Sequence, residues 1–211
     1  MRRMLALGLA ASIGLGGWSA HAQRLLLPPP ERPDALMRAV TAEVVAVLKQ
    51  DLAAGQATDV ALLVETKILP LFDFRRMTRM AVARNWPLAS PEQQLALVEQ
   101  FTALLVRTYS SALSSYRDQE IHYKPLRAAA GDTEVLVRST IRRLGVEALT
   151  LDYDMEDTLA GWKVYDVKIA GISLVITYRE SFAAMVREAG IDGLIRSLTE
   201  KNRQNARAQT Q

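Results

Sequence analysis

The chain contains no cysteine, only two histidines, and few aromatic residues. Without thiols there is no disulfide framework and no thiolate metal site, so stability has to come from an apolar core. Neither a Gly-rich phosphate loop nor a spaced His/Asp/Glu set is present, which all but excludes nucleotide, zinc and nucleophilic-triad chemistry. No apolar run reaches the roughly 20 residues that a membrane-spanning helix needs. An excess of one charge is missing as well, once the N-terminus is taken into account.

What the N-terminus holds is Arg2-Arg3, an apolar Gly-rich run from Met4 to Trp18, and the small-residue triplet Ala20-His21-Ala22. That order is the charged, hydrophobic and cleavage-site order of a secretory signal peptide over residues 1–22. Cleavage removes Arg2, Arg3 and His21, leaving 24 basic against 23 acidic side chains. Such balance gives no basic stripe and no reason to expect nucleic acid as a partner. A proline-rich entry over 23–32 (Pro28-Pro29-Pro30) precedes a single domain over 33–202 and a polar tail over 203–211.

Helical spacing of Leu36, Val40, Val44, Val47, Leu48 and Leu52 predicts a helix over about 33–52. Thr58-Asp59 starts a second helix that runs to Pro70, and Asp73 starts a third. Ser90-Pro91-Glu92-Gln93 is a capping box with proline at the first helical position. The long helix behind it carries Leu95, Val98, Phe101, Leu105, Tyr109, Ala112, Leu113 and Tyr116. The period then changes to alternation, giving four strands: around Ile121 and Tyr123; from Val135 to Ile141; through Leu149, Leu151 and Tyr153; and from Gly161 through Trp162 and Val164, with Glu156 to Gly161 as a connection. Short links make them an antiparallel meander. Two helices close the chain, one over about 173–188 and one from Asp192. The expected fold is α+β, a curved four-stranded antiparallel sheet packed by helices from both ends of the chain. His122 alternates with apolar neighbours and faces solvent, while Asp152, Asp154 and Asp166 are carboxylates whose ordinary role in strands is to bond backbone or arginine.

Five stretches carry a family resemblance. They are Phe72-Asp73-Phe74-Arg75-Arg76-Met77, Ser90-Pro91-Glu92-Gln93-Gln94, Leu104-Leu105-Val106-Arg107-Thr108-Tyr109, Gly161-Trp162-Lys163-Val164-Tyr165-Asp166-Val167 and Gly171-Ile172-Ser173-Leu174-Val175, the last followed by Tyr178-Arg179 and Phe182. In this order they resemble the MlaC family, the periplasmic phospholipid-binding component of the Mla transport system, also known as toluene-tolerance proteins; the likeness spans about residues 34–202. It implies a periplasmic carrier, not an enzyme, with no cofactor, no metal and no catalytic residue. Its partners would be phospholipid, an inner-membrane Mla ABC transporter complex and an outer-membrane Mla lipoprotein complex, and its role would be to maintain outer-membrane lipid asymmetry. A carrier of another lipid such as a hopanoid, and a pocket enzyme, are the alternatives the same fold admits.

A carrier needs an apolar cavity, because each buried methylene is worth about 0.8 kcal/mol and a two-chain lipid carries roughly thirty. The inward faces expected to line it are Val106, Tyr109 and Leu113 on the long helix, Leu151, Tyr153 and Val164 on the sheet, and Val175, Tyr178, Phe182 and Met185 on the penultimate helix. Arg107 and Arg179 are the candidates for a phosphate head group at the rim.

Overall fold

The computed structural model describes residues 32–209 apart from 115 and 117; the expected signal peptide and most of the expected proline-rich entry lie outside the described residues. Helix α1, Pro33–Ala53, begins with proline at its first position, where the missing N–H costs nothing. Asp59 caps the short α2, Val60–Leu63, by accepting from the Leu62 amide at 3.0 Å. The chain then winds through a π-helical turn, Val64–Ile68, and a 3-10 turn, Leu69–Leu71, where one regular helix had been expected. Asp73 caps α3, Phe74–Val82, through the Arg76 amide at 2.8 Å. Ala83, at φ 52° and ψ −123°, ends that helix and turns the chain into a 3-10 segment, Ala83–Leu88.

Helix α4, Pro91–Ser114, opens on the capping box as read: the Gln93 amide donates to Ser90 Oγ at 3.2 Å, and the Ser90 amide donates to Gln93 Oε1 at 3.0 Å. It stops short of Tyr116, whose amide closes a turn onto the Leu113 carbonyl.

Five strands follow, against four expected: β1 Glu120–Tyr123, β2 Glu134–Arg143, β3 Val146–Thr158, β4 Gly161–Ile169 and the two-residue β5 Ile172–Ser173. They pair antiparallel in chain order. β3 runs on to Thr158, so most of the expected Glu156–Gly161 connection is strand and the turn is confined to Leu159 and Ala160. The last strand was missed because two residues after a glycine give no period to read. Helix α5, Leu174–Gln209, contains both expected C-terminal helices and most of the polar tail, with Gly190 (φ 69°, ψ −176°) as the non-helical joint between them.

Cross-strand register sorts the residues. Val135, Val137 and Ser139 stand opposite Met155, Tyr153 and Leu151, which in turn stand opposite Val164, Val167 and Ile169, so these share a face. Against that face lies Met37 of α1, with Leu36 beside it. The other face pairs Glu134 with Glu156, a repulsive arrangement that Arg76 of α3 neutralises by bonding both. A bulge in β4 puts Tyr165 under the Arg76 guanidinium, 3.6 Å from its ring centre.

A second core is purely helical. Met77, Ala81, Val82 and Trp86 pack with Leu97, Phe101 and Leu104 of α4 and Val175, Phe182, Leu194 and Leu198 of α5. The Phe101 ring meets Tyr178 and Phe182 edge-on at 5.1 and 5.2 Å. A third, smaller core joins Val44 and Leu48 of α1 to Leu63 of α2, with Leu113 and Tyr116 against it. Ser173 and the buried Asp166 carboxylate together satisfy the first amides of α5, those of Ile176 and Val175, and so tie the helical core to the sheet.

Candidate functional site: two clefts beside the first helix

Between α1 and β1 is a cleft of about 510 Å³, lined by Arg38, Thr41, Ala42, Val45 and Lys49 of α1 and by Gln119, Glu120, Ile121, His122 and Tyr123. The helix residues recur three or four apart, so they form one stripe, apolar in the middle and cationic at both ends. Beside the C-terminal turns of α1 is a second cleft of about 420 Å³, lined by Leu48, Leu52, Gln56, Ala57, Thr58, Val60, Leu113 and Tyr116. Leu52 is 51% exposed here although it belongs to the apolar stripe of its helix. Each volume falls in the range that takes a small organic ligand.

A chain of hydroxyls holds α1 to the sheet at the head of the first cleft. Thr41 Oγ1 lies 2.6 Å from Tyr123 Oη, and Tyr123 also donates to the Met37 carbonyl at 3.2 Å. Tyr153 lies beyond Tyr123, near enough to it and to Ser139 for both to act on its phenol, and the Ser139 hydroxyl donates to the Leu151 carbonyl at 2.6 Å. Burial pushes the Tyr153 phenol far above its ordinary value and raises Tyr123 as well, so both stay neutral. Outside, Arg38 spans the Tyr123 ring at 5.1 Å and donates to its carbonyl at 3.4 Å. The lining thus combines the hydroxyls of Thr41 and Tyr123 and the apolar Ala42, Val45 and Ile121 with the exposed cations Arg38 and Lys49 and the polar Gln119, Glu120 and His122.

The residues named from sequence fall into separate groups. Val175 and Phe182 are buried in the helical core, with Tyr178 and Met185 packed against it. Leu151, Tyr153 and the fully buried Val164 belong to the sheet-face core. Leu113 lines the second cleft. Tyr109, 36% exposed, lies near Tyr178, and Val106 is half-buried one turn before it on α4. Burial raises both of those phenols too. Arg107 donates to the Asn202 carbonyl of α5 and Arg179 to the Met80 carbonyl of α3 at 3.2 Å; neither lines either of these two clefts. The α1 residues were passed over because a helical stripe reads as core. The available signal was that the stripe is flanked by Thr41, Ala42 and Val45, an apolar arc wider than one packed contact requires.

Two of the strand carboxylates are engaged away from the clefts. Asp166 accepts from Ser173 and from the Val167 amide, and Asp154 pairs with Lys168 at 2.7 Å. His122 is exposed beside Glu120 at 3.1 Å. Among the described residues no group of three or more His, Cys, Asp and Glu is placed to hold a metal ion, and no helix is long and apolar enough to cross a membrane.

Residues 38–200 match the family model described as MlaC protein. The chain is similar to the intermembrane phospholipid transport system binding protein MlaC of Haemophilus influenzae, 23% identical over 141 residues, which are 65% of this chain and 66% of that protein. It is similar to the toluene tolerance protein ttg2D of Pseudomonas putida, 29% identical over 104 residues, 49% of this chain and 48% of the relative. The aligned parts thus span just under two thirds and about half of those proteins' lengths. Among solved structures, a phospholipid-binding protein from Ralstonia solanacearum, in complex with a phospholipid, superposes with a TM-score of 0.74 at 43% identity, covering 82% of this chain and 98% of that one.

Proposed function

The chain belongs to the MlaC family, and from that premise we propose that it is a periplasmic phospholipid carrier rather than an enzyme, delivered across the inner membrane by the signal peptide over 1–22. The observation that carries the reading is its likeness, over nearly the full length of the partner fold, to a protein solved with a phospholipid bound. The clefts beside α1 supply the place. Acyl chains enter on either side of α1 and reach Leu113 and Tyr109 on α4 and Leu151 and Tyr153 on the sheet face. Val106 and Val164 extend those two walls, and Val175, Tyr178, Phe182 and Met185 form the packed wall behind. The phosphate stays near water, where desolvation is avoided. Arg38 and Lys49 in the lining of the larger cleft reach it directly, whereas Arg107 and Arg179, each bonded to a helix carbonyl, stand outside both clefts and would act on the phosphate only if α4 or α5 shifts.

Gross burial of roughly thirty methylenes is worth tens of kcal/mol. Release therefore requires a docked partner that opens the clefts by shifting α1 against the sheet. The partners of this reading are the inner-membrane Mla ABC transporter complex and the outer-membrane Mla lipoprotein complex, between which lipid passes so that outer-membrane asymmetry is maintained.

Native mass spectrometry with lipid extraction tests the proposal on mature protein purified from a periplasmic fraction without detergent. Near-stoichiometric phospholipid is expected. A hopanoid in its place would change the ligand and keep the carrier; a chain that stays empty after incubation with phospholipid vesicles would end the carrier reading.

A further inference from the structure

The stretch from Phe74 to Ser90 contains four arginines and no aspartate or glutamate. In a mature chain whose charges nearly cancel, that is a local concentration and not a general excess. Arg76 is used internally, between Glu134 and Glu156. The other three are exposed, and among the described residues none is paired with a carboxylate. Arg75 lies over the Trp86 ring at 5.5 Å and bonds Gln94 at 3.1 Å, which fixes its direction. Arg79 and Arg84 flank the end of α3, where Arg179 also arrives. Ala83 holds the turn between them at φ 52°, ψ −123°, a conformation that costs a non-glycine residue about 1–3 kcal/mol and persists only where its surroundings impose it. Next to this basic corner Leu88 is 72% exposed.

We propose that this corner, built on Arg75, Arg79 and Arg84 with Leu88, is a docking surface for a protein partner that presents an acidic patch. Guanidinium groups on rigid helices suit carboxylates in bidentate geometry, and a central exposed leucine with charged surroundings is the usual anatomy of a contact patch. Position decides between a protein and an anionic bilayer. Arg75 bonds Gln94 in the first turn of α4, whereas the second cleft lies at Leu113 near the other end, about 28 Å along the helix at 1.5 Å per residue. A bilayer held by the basic corner would meet the end of α4 remote from that cleft, while a protein can grip this end and leave the distant cleft clear for exchange. The partner's role in lipid transfer rests on the carrier reading above; the docking chemistry does not.

The test uses the full mature chain and, as probes, the solubilised inner-membrane and outer-membrane Mla complexes, with binding measured by interferometry at low and high sodium chloride. Arg79→Glu combined with Arg84→Glu is expected to lower affinity for at least one complex about tenfold or more, and wild-type binding is expected to weaken as salt rises. Arg79→Gln with Arg84→Gln gives an intermediate loss should the reversed variant fold poorly, and Arg196→Glu, on the second half of α5, binds as wild type. Lipid content by native mass spectrometry stays unchanged in every variant. Undiminished binding of the reversed variant to both complexes, failure of the wild type to bind either, or arginine-dependent capture by phosphatidylglycerol vesicles instead would overturn the proposal. A wild type that is empty of lipid yet docks through these arginines would sink the carrier reading and leave the docking surface standing.

Discussion

Replacing Tyr123 by phenylalanine isolates the hold that the sheet has on α1. The hydroxyl touches two groups of that helix, Thr41 Oγ1 at 2.6 Å and the Met37 carbonyl at 3.2 Å. At about 1 kcal/mol net for each bond, the substitution removes about 2 kcal/mol from the docking of α1 and leaves its apolar contacts in place. That is about a thirtyfold rise in the population with α1 lifted, at 1.4 kcal/mol per factor of ten. Amide hydrogen exchange is expected to speed up by about that factor over residues 37–48 and to change little in α4 and α5. On the carrier reading, spontaneous transfer of a fluorescent phospholipid to protein-free vesicles is expected to be slow for the wild type and to accelerate in parallel. Transfer that stays within twofold of the wild type while α1 exchange rises would show that α1 is not the barrier to lipid exit. Exchange that rises equally in every helix would show that the hydroxyl chain supports the whole fold instead.

Phe182→Ala strikes the helical core and is expected to cost about 3–5 kcal/mol, lowering Tm by roughly 10 °C in a thermal scan, because the ring is buried and meets Phe101 edge-on. Ala83→Gly should raise stability by about 1 kcal/mol in urea unfolding, since glycine relieves the positive φ more than its extra chain entropy costs. Alkaline pH supplies a titration. Tyr123, Tyr153, Tyr109 and Tyr178 have phenols raised chiefly by burial, and Tyr165 is pushed up to about 12 by burial and the nearby Asp154 and Glu134. Groups raised in the folded state bind their protons more tightly there than unfolded, so their contribution is complete below about pH 10 and is lost as pH rises through the folded values. Phenolate absorbance from Tyr123 and Tyr153 should therefore appear together with loss of helix signal; phenolate formation by these two in a still-folded chain would contradict their burial.

Helix starts were the most legible part of the fold. Asp59, Asp73 and Ser90 each cap where their side-chain chemistry placed them, because a cap is a local hydrogen bond and needs no tertiary context. The sheet order was legible for a related reason, since short links permit little but a meander. The division of the interior was not. Periodicity marks Val44, Phe101 and Val137 equally as inward-facing, yet they belong to three separate clusters, and which inward face meets which is decided by crossing angles that no stripe encodes. For the same reason the clefts were hidden. A gap lies between two surfaces, as the larger cleft does between α1 and β1, and a sequence names surfaces one at a time.

The separation of the helical core from the apolar surfaces around α1 bears on how such a protein can diversify. Substitutions at Ala42, Val45 or Leu52 alter the width of the clefts but touch nothing packed around Phe101 and Phe182. Selection for a longer, shorter or bulkier cargo can act on one helix while the block that keeps the chain foldable drifts under its own constraint. Lineages whose membranes differ in composition would then differ most in α1 and least in the aromatic cluster of α4 and α5.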